Sequence, residues 1–178
     1  EVYTNKANTT LGFVRRNIKT SSQNIKTQAY ISLDQPIIEY TSPVWDPYTV
    51  TNINKIEMVQ RRAARYTVNI YHKTSSVDTM LDGLKWESLS QRRIKARLVI
   101  FYKIHHSLIA IQFPAIVTYA ERPIRGHPHR FLRPFCGTDA YNYSFFPNTL
   151  RQWNSLPPSI ACKSSLSQFK TALSSHSV

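Results

Sequence analysis

The sequence predicts a mainly α-helical fold, and three observations predict it. No proline occurs from Tyr48 to Phe113, and the 178 residues include only four glycines. Within that stretch apolar residues recur at 53, 56, 59, 63, 64 and 70, a spacing near the 3.6 residues of an α-helical turn. Hydrophobic content of 42% is ordinary for a folded chain and argues against wholesale disorder. The length allows one domain or two small ones, with a sizeable buried core.

Taken in order, residues 2 to 18 predict a first helix with Val2, Ala7, Leu11, Val14 and Ile18 on one face. Gly12 weakens it, while Arg15, Arg16 and Lys19 load its C-terminal end with charge that suits the helix dipole. Ser21 or Ser22 caps a second helix through Leu33, which Pro36 bends or interrupts. Pro43 and Pro47 then bracket an aromatic turn, and Trp45 and Tyr48 need a surface to pack against. Thr51 or Asn52 caps the clearest helix of the chain, to about residue 70. It turns Arg61, Arg62 and Arg65 outward together, with Lys55 two turns before Arg62. These elements make a compact three-helix unit over residues 1 to 70.

A connecting helical unit over 71 to 113 follows. Ser76 opens a short helix closed by Gly83 in a left-handed cap. Ser88 caps a long helix over about 89 to 110, basic at its start (Arg92, Arg93, Lys95, Arg97) and so apolar at its end that burial is expected. Residues 114 to 178 form a C-terminal extension whose first part is irregular and rich in proline, arginine and aromatics. Short extended pieces are expected at 129 to 135 and 140 to 146. Pro147 suits the first turn of a helix carrying Leu150 and Trp153, Pro157 and Pro158 end it, and Ser164 or Ser165 starts a last helix.

The net charge of +13 and an isoelectric point near 10.0 favour a polyanionic partner, most often nucleic acid, less often an acidic membrane or protein surface. The alternative is a solvated basic surface without a partner. Lysines and arginines divide into 9, 7 and 7 over residues 1–70, 71–111 and 112–178, against 5, 3 and 2 acids, so every segment is positive. Cys136 and Cys162 make no disulfide framework, and a reducing intracellular compartment is the default. No apolar run is long enough for a membrane span and the start is no signal peptide, while Glu1 in first place suggests a piece of a longer reading frame.

No catalytic constellation stands out. The acids, among them Asp34, Asp46, Asp78, Asp82, Glu87 and Asp139, are scattered over different elements, whereas a two-metal site needs them clustered. No serine has a GxSxG context and no glycine-rich phosphate loop occurs. His105 and His106 diverge on a helix. His127, His129 and Cys136 lack a fourth ligand at zinc-finger spacing, so a solvated loop is the better reading there. The segment RPIRGHPHRFLRPF at 122 to 135 interleaves arginines with Phe131 and Phe135, the mix that grips phosphates and stacks on bases. Equally, it reads as a loop whose aromatics fold back on the helices.

The chain resembles the region after the palm of reverse transcriptases of non-LTR (LINE-like, jockey-type) retrotransposons. The resemblance rests on ANTTLGFVRRN at 7 to 17, QAYISLDQPIIEYTSPVWDPYT at 28 to 49 and NKIEMVQRRAARYTV at 54 to 68. It continues through WESLSQRRIKARLVIFYKI at 86 to 104, RGHPHRF at 125 to 131, TDAYNYSFFPNTLRQWNSLPPSI at 138 to 160 and SLSQFKTAL at 165 to 173. In one departure, Asp34 and Gln35 stand where a more basic or apolar pair is expected.

The resemblance implies a helical thumb subdomain plus a C-terminal extension. The metal-binding aspartates of such enzymes lie upstream and none of their motif is present, so the piece is expected to be non-catalytic and to bind no metal or cofactor itself. The parent RNA-directed DNA polymerase would need magnesium. The implied partners are RNA and DNA, as primer-template duplex or target DNA, and the palm and fingers of the same polypeptide, with no membrane. The implied location is the nucleus and cytoplasm, within a retrotransposon ribonucleoprotein. Arg15, Arg16, Lys55, Arg61, Arg62 and Arg65 would contact phosphates, and Arg125, Arg130 and Arg133 would reach single-stranded template or target. The competing reading is a decayed transposon-derived module acting only in protein packing, with the apolar helix at 98 to 111 as its docking surface.

Overall fold

Helix dominates the computed structural model, which describes residues 2–40, 42–72, 74–120 and 126–176. Arg122 and Arg125 lie outside the described residues. The chain clusters into two compact units, residues 1–92 and 93–178, where the sequence suggests breaks near 70 and 113. The reason lies in the core of the first unit, which takes in Leu89 and packs against Trp86, well past residue 70.

In the first unit, α1 (Val2–Asn17) buries Ala7, Leu11 and Val14, one stripe at helical spacing. The second helical run is not interrupted at Pro36. The chain stays helical through α2 (Gln23–Ala29), a π-turn (Tyr30–Asp34) and α3 (Gln35–Glu39). A proline inside an α-helix has no N–H to give and drives its ring at the carbonyl four residues back. The wider π-turn just before Pro36 changes the register at that point and turns Tyr30 and Asp34 inward.

The aromatic turn contains a single helical turn, α4 (Ser42–Trp45), with Trp45 half-buried against the core. The long helix α5 (Val50–Val68) starts slightly before the expected caps. Thr49 holds the N-cap position in extended backbone, and its side chain makes no capping bond. At the other end Asn69 takes a left-handed conformation (φ 58°), which asparagine tolerates better than most residues. Tyr66 of α5 donates its hydroxyl to Ile18 O at 2.8 Å, and Arg62 Nη1 donates to Asn8 Oδ1 at 2.8 Å. Rising numbers on α1 therefore meet rising numbers on α5, so the two helices run side by side in the same direction.

Ser76 caps α6 (Val77–Leu84) through the Thr79 amide as expected, but Gly83 is not its left-handed closure. Gly83 sits within the helix and Lys85 takes the left-handed position, with Trp86 N–H returning to Leu81 O at 2.8 Å. Ser88 accepts from the Gln91 amide at the start of α7 (Leu89–His105), which ends about a turn earlier than the sequence suggests.

In the second unit, Leu98, Phe101 and Tyr102 of α7 join Trp153, Leu150, Phe131 and Phe169 in one core. The expected short strands do not form among the described residues. An isolated antiparallel bridge joins Tyr119 and Phe131. Residues 140 to 146 are mostly helical instead, because Thr138 caps α8 (Asp139–Asn142) through the Tyr141 amide and Ser144 leads into α9 (Phe145–Ser155). Pro147 falls in the first turn of α9, where no intrahelical donor is required. The short α10 (Pro158–Ala161) and α11 (Leu166–Ser174) complete the unit. No helix among the described residues is long and apolar enough to cross a membrane.

Candidate nucleic-acid interface

The shared direction of α1 and α5 lines up a row of polar positions on α1 beside a row on α5. Thr4, Asn5, Asn8, Gly12, Arg15 and Arg16 recur at helical spacing and flank the buried stripe of α1, and Lys19 follows in the turn after it. Three cavities lie along this seam. The first, of about 490 Å³, is lined by Val2, Tyr3, Thr4, Trp45, Pro47, Asn52, Lys55 and Ile56. A second of about 490 Å³ shares Thr4 and Lys55 with it and adds Asn5, Asn8, Thr51, Asn54, Met58 and Arg62. The third, of about 480 Å³, is lined by Gly12, Arg15, Arg16, Lys19, Tyr66 and Tyr71. None of these described lining residues is acidic.

Local packing holds several of these cations. Arg62 is tied to Asn8, and the Arg15 guanidinium lies 6.0 Å from the centre of the Tyr71 ring, at the outer limit of cation–π attraction. Gly12 admits the Arg16 side chain: a Cβ there would stand 3.4 Å from Arg16 Nη1. Tyr66 is buried, and its hydroxyl bond to Ile18 O fixes the end of α1 against α5. The result is an open groove with no acid among its described lining residues, and with cations, amides and hydroxyls along it. Such a lining can donate to phosphate oxygens without reading base identity.

The sequence-predicted residues divide accordingly. Arg15, Arg16, Lys55 and Arg62 are exposed and line the seam. Arg61 is exposed and Arg65 half-buried on α5, and neither lines these cavities. Arg130 is half-buried in the second unit. Arg133 is exposed there and donates to Asn142 Oδ1 at 2.6 Å. Arg125 lies outside the described residues. Residues that sequence reasoning missed are Tyr3, Thr4, Asn5, Asn8, Asn52 and Asn54. Their periodicity on α1 and α5 was a visible signal, but only the register between the helices makes them neighbours.

The histidine- and arginine-bearing segment of the second unit largely folds back. His127 is fully buried and bonds through Nε2 to Trp153 O at 2.9 Å, so the expected solvated loop is wrong at that residue. Trp153 Nε1 donates to His129 O at 2.7 Å, and the Asn154 amide both donates to Phe131 O and accepts from Phe131 N. Phe131 stacks on Tyr119 and meets Phe101 edge-on. Only Phe135, 92% exposed, stays out in solvent among the two interleaved phenylalanines.

His105 sits beside His106 and His129, and its Nδ1 shares a hydrogen bond of 3.2 Å with the Tyr119 hydroxyl. Burial, then the neighbouring His106, His129 and His127, push its pKa down to about 4. Burial likewise lowers His127, against the Trp153 carbonyl bond. Among the described residues no group of three or more His, Cys, Asp or Glu side chains could hold a metal. Of the apolar stretch at 98 to 111 that the decayed-module reading takes as a docking face, Leu98, Phe101 and Tyr102 lie in the core of the second unit and Ile104 is buried, while Leu108 and Ile111 are exposed.

Asp34 is fully buried in the π-turn, and its two carboxylate oxygens have no hydrogen-bond partner among the described residues. Burial pushes its pKa up to about 7. Tyr30, one turn before it, stacks on Trp86 with ring centres 4.4 Å apart, and burial followed by the Glu39 charge raises its hydroxyl pKa. Nearby, Arg92 forms a two-pronged ion pair with Glu39.

Comparison with protein-family models, with curated proteins and with solved structures finds no match to this chain.

Proposed function

We propose that the chain is a non-catalytic nucleic-acid-holding piece of a non-LTR retrotransposon reverse transcriptase, its first unit acting as the thumb. The observation that carries the binding half of this reading is the seam between α1 and α5, whose described lining holds no acid and carries Arg15, Arg16, Lys55 and Arg62. The family half rests on the sequence resemblance. In this reading the primer-template duplex, DNA or RNA–DNA hybrid, lies against the seam by its backbone. Affinity comes from phosphate neutralisation and counterion release, without sequence preference. The metal-dependent chemistry belongs to the palm of the same polypeptide.

The test is binding of labelled duplex DNA and RNA–DNA hybrid, by fluorescence anisotropy over a range of salt, to the full chain. Changing Arg15, Arg16, Lys55 and Arg62 together to alanine should flatten the slope of log affinity against log salt by about three to four, at roughly 0.9 per lost phosphate contact. Circular dichroism checks that the variant stays folded. An unchanged slope in a folded variant, or no binding by the parent chain, would sink the reading. Primer extension by the purified chain with magnesium and a primed RNA would overturn its non-catalytic half.

A further inference from the structure

We infer that the cavity at the Tyr3–Trp45 end of the seam is a seat for one unpaired nucleobase, so that the groove engages a duplex bearing a single-stranded end rather than a blunt one. This rests on the nucleic-acid reading of the seam and names the form of ligand it takes.

Three features of the cavity point to a base. Tyr3 and Trp45 are stacked with ring centres 5.4 Å apart and planes 10° from parallel, and Tyr3 remains 37% exposed. The Trp45 indole N–H donates to Tyr40 O at 2.7 Å, which fixes the orientation of that ring. A surface aromatic pair held flat in this way is a stacking platform, and stacking suits any base because every base has a π-face. The volume, about 490 Å³, falls in the range of small-ligand sites. Pro47 and Ile56 give it an apolar wall, while Asn52 and Lys55 supply a hydrogen-bonding amide and a cation at its rim.

Position then narrows the ligand. Lys55 lines both this cavity and the next, where Arg62 and Asn8 continue the polar track. A strand whose base enters the aromatic cavity can therefore carry its phosphates past Lys55 into the groove without a break. Bases inside a duplex are paired and stacked on their neighbours and present no free face. The base that fits is an unpaired one, in an overhang or a frayed terminus.

The experiment uses the full chain and three oligonucleotides at one salt concentration. They are a blunt duplex, the same duplex with a three-nucleotide overhang carrying 2-aminopurine, and that overhang with abasic sites. The overhang should bind roughly tenfold tighter than the blunt duplex, the lower part of the range for stacking one base, and 2-aminopurine fluorescence should be quenched on binding. Tyr3→Leu should bring the overhang-to-blunt affinity ratio close to one, and Tyr3→Phe should keep it, which separates loss of the ring from loss of helix packing. Equal binding of overhang and blunt duplex, equal binding of abasic and base-bearing overhangs, or a preference that survives Tyr3→Leu would each overturn the seat while duplex binding by the groove stands. If duplex binding itself does not depend on the four groove cations, the groove reading fails and the seat fails with it.

Discussion

Both units are basic, yet they place their basic and aromatic residues differently. In the first unit Arg15, Arg16, Lys55, Arg61 and Arg62 stay exposed around a core of aliphatic side chains and tyrosines. In the second, Arg93, Arg97, His127 and Phe131 are drawn inside. Arg97 donates to Gln152 Oε1 at 3.0 Å, and burial, with Arg151 nearby, lowers its pKa to about 10. The lesson is that charge count does not locate a binding surface. A basic residue that must be paired or packed to be buried serves the fold, and one left in solvent beside an open groove is available to a ligand.

The largest effect expected from this contrast is on the cores themselves. Trp153 is fully buried, touches Phe101 and Phe169, and bonds to His129 O, so Trp153→Ala should cost roughly 3–5 kcal/mol. Trp45 is only half-buried, and Trp45→Ala should cost less, about 1–2 kcal/mol. Denaturant unfolding read by hydrogen exchange of each unit compares the two, and equal losses would erase the distinction drawn between the tryptophans.

Next in size are opposite pH dependences. Folding lifts the pKa of Asp34 from 3.8 to about 7, so the folded state keeps this proton longer than the unfolded chain does. The stability tied to it is therefore present below about pH 4 and is lost as the pH rises through 7. Asp34→Asn should make the first unit more stable at pH 8 by up to roughly 4 kcal/mol, and change it little at pH 4. His105 works the other way, since folding lowers its pKa from 6.5 to about 4. Its contribution is full above pH 6.5 and is lost as the pH falls toward 4. His105→Asn should flatten the acid-side decline of the second unit by up to roughly 3 kcal/mol. Hydrogen exchange at pH 5 and pH 8 reads both, and parallel pH profiles for the two units would contradict the assignment.

The smallest effect is expected at Arg133, exposed and held to Asn142. Arg133→Ala should shift stability by no more than about 0.5 kcal/mol and the salt slope of binding by no more than about one unit. A larger drop in slope than that of the four-residue groove variant would move the interface to the second unit.

Much of this molecule was legible in one dimension. The helices Val2–Asn17 and Val50–Val68 follow from apolar spacing, and the starts at Ser76 and Ser88 follow from cap chemistry, because both signals are local. The cations of the groove were legible as types on one helix or the other. The π-turn before Pro36 was not, because a proline signals a break and only the packing of Tyr30 and Asp34 repays keeping the chain helical through it. The extended pieces at 140 to 146 were misread for a related reason: aromatic-rich segments suit strands, but the Thr138 hydroxyl caps a helical turn there and the extended backbone at Ser144 leads straight into the next helix.

By itself, then, the sequence determined the helical class, the long helices and the excess of positive charge. Only the tertiary structure decided which of those charges stand beside an open surface. It set α1 parallel to α5 and so made neighbours of Asn8 and Arg62, and it turned His127 and Phe131 into core. The physical reason is that composition and period are properties of each segment alone. A groove or a core depends on the register between segments far apart in the chain, and that register is fixed by which side chains fill the space between them.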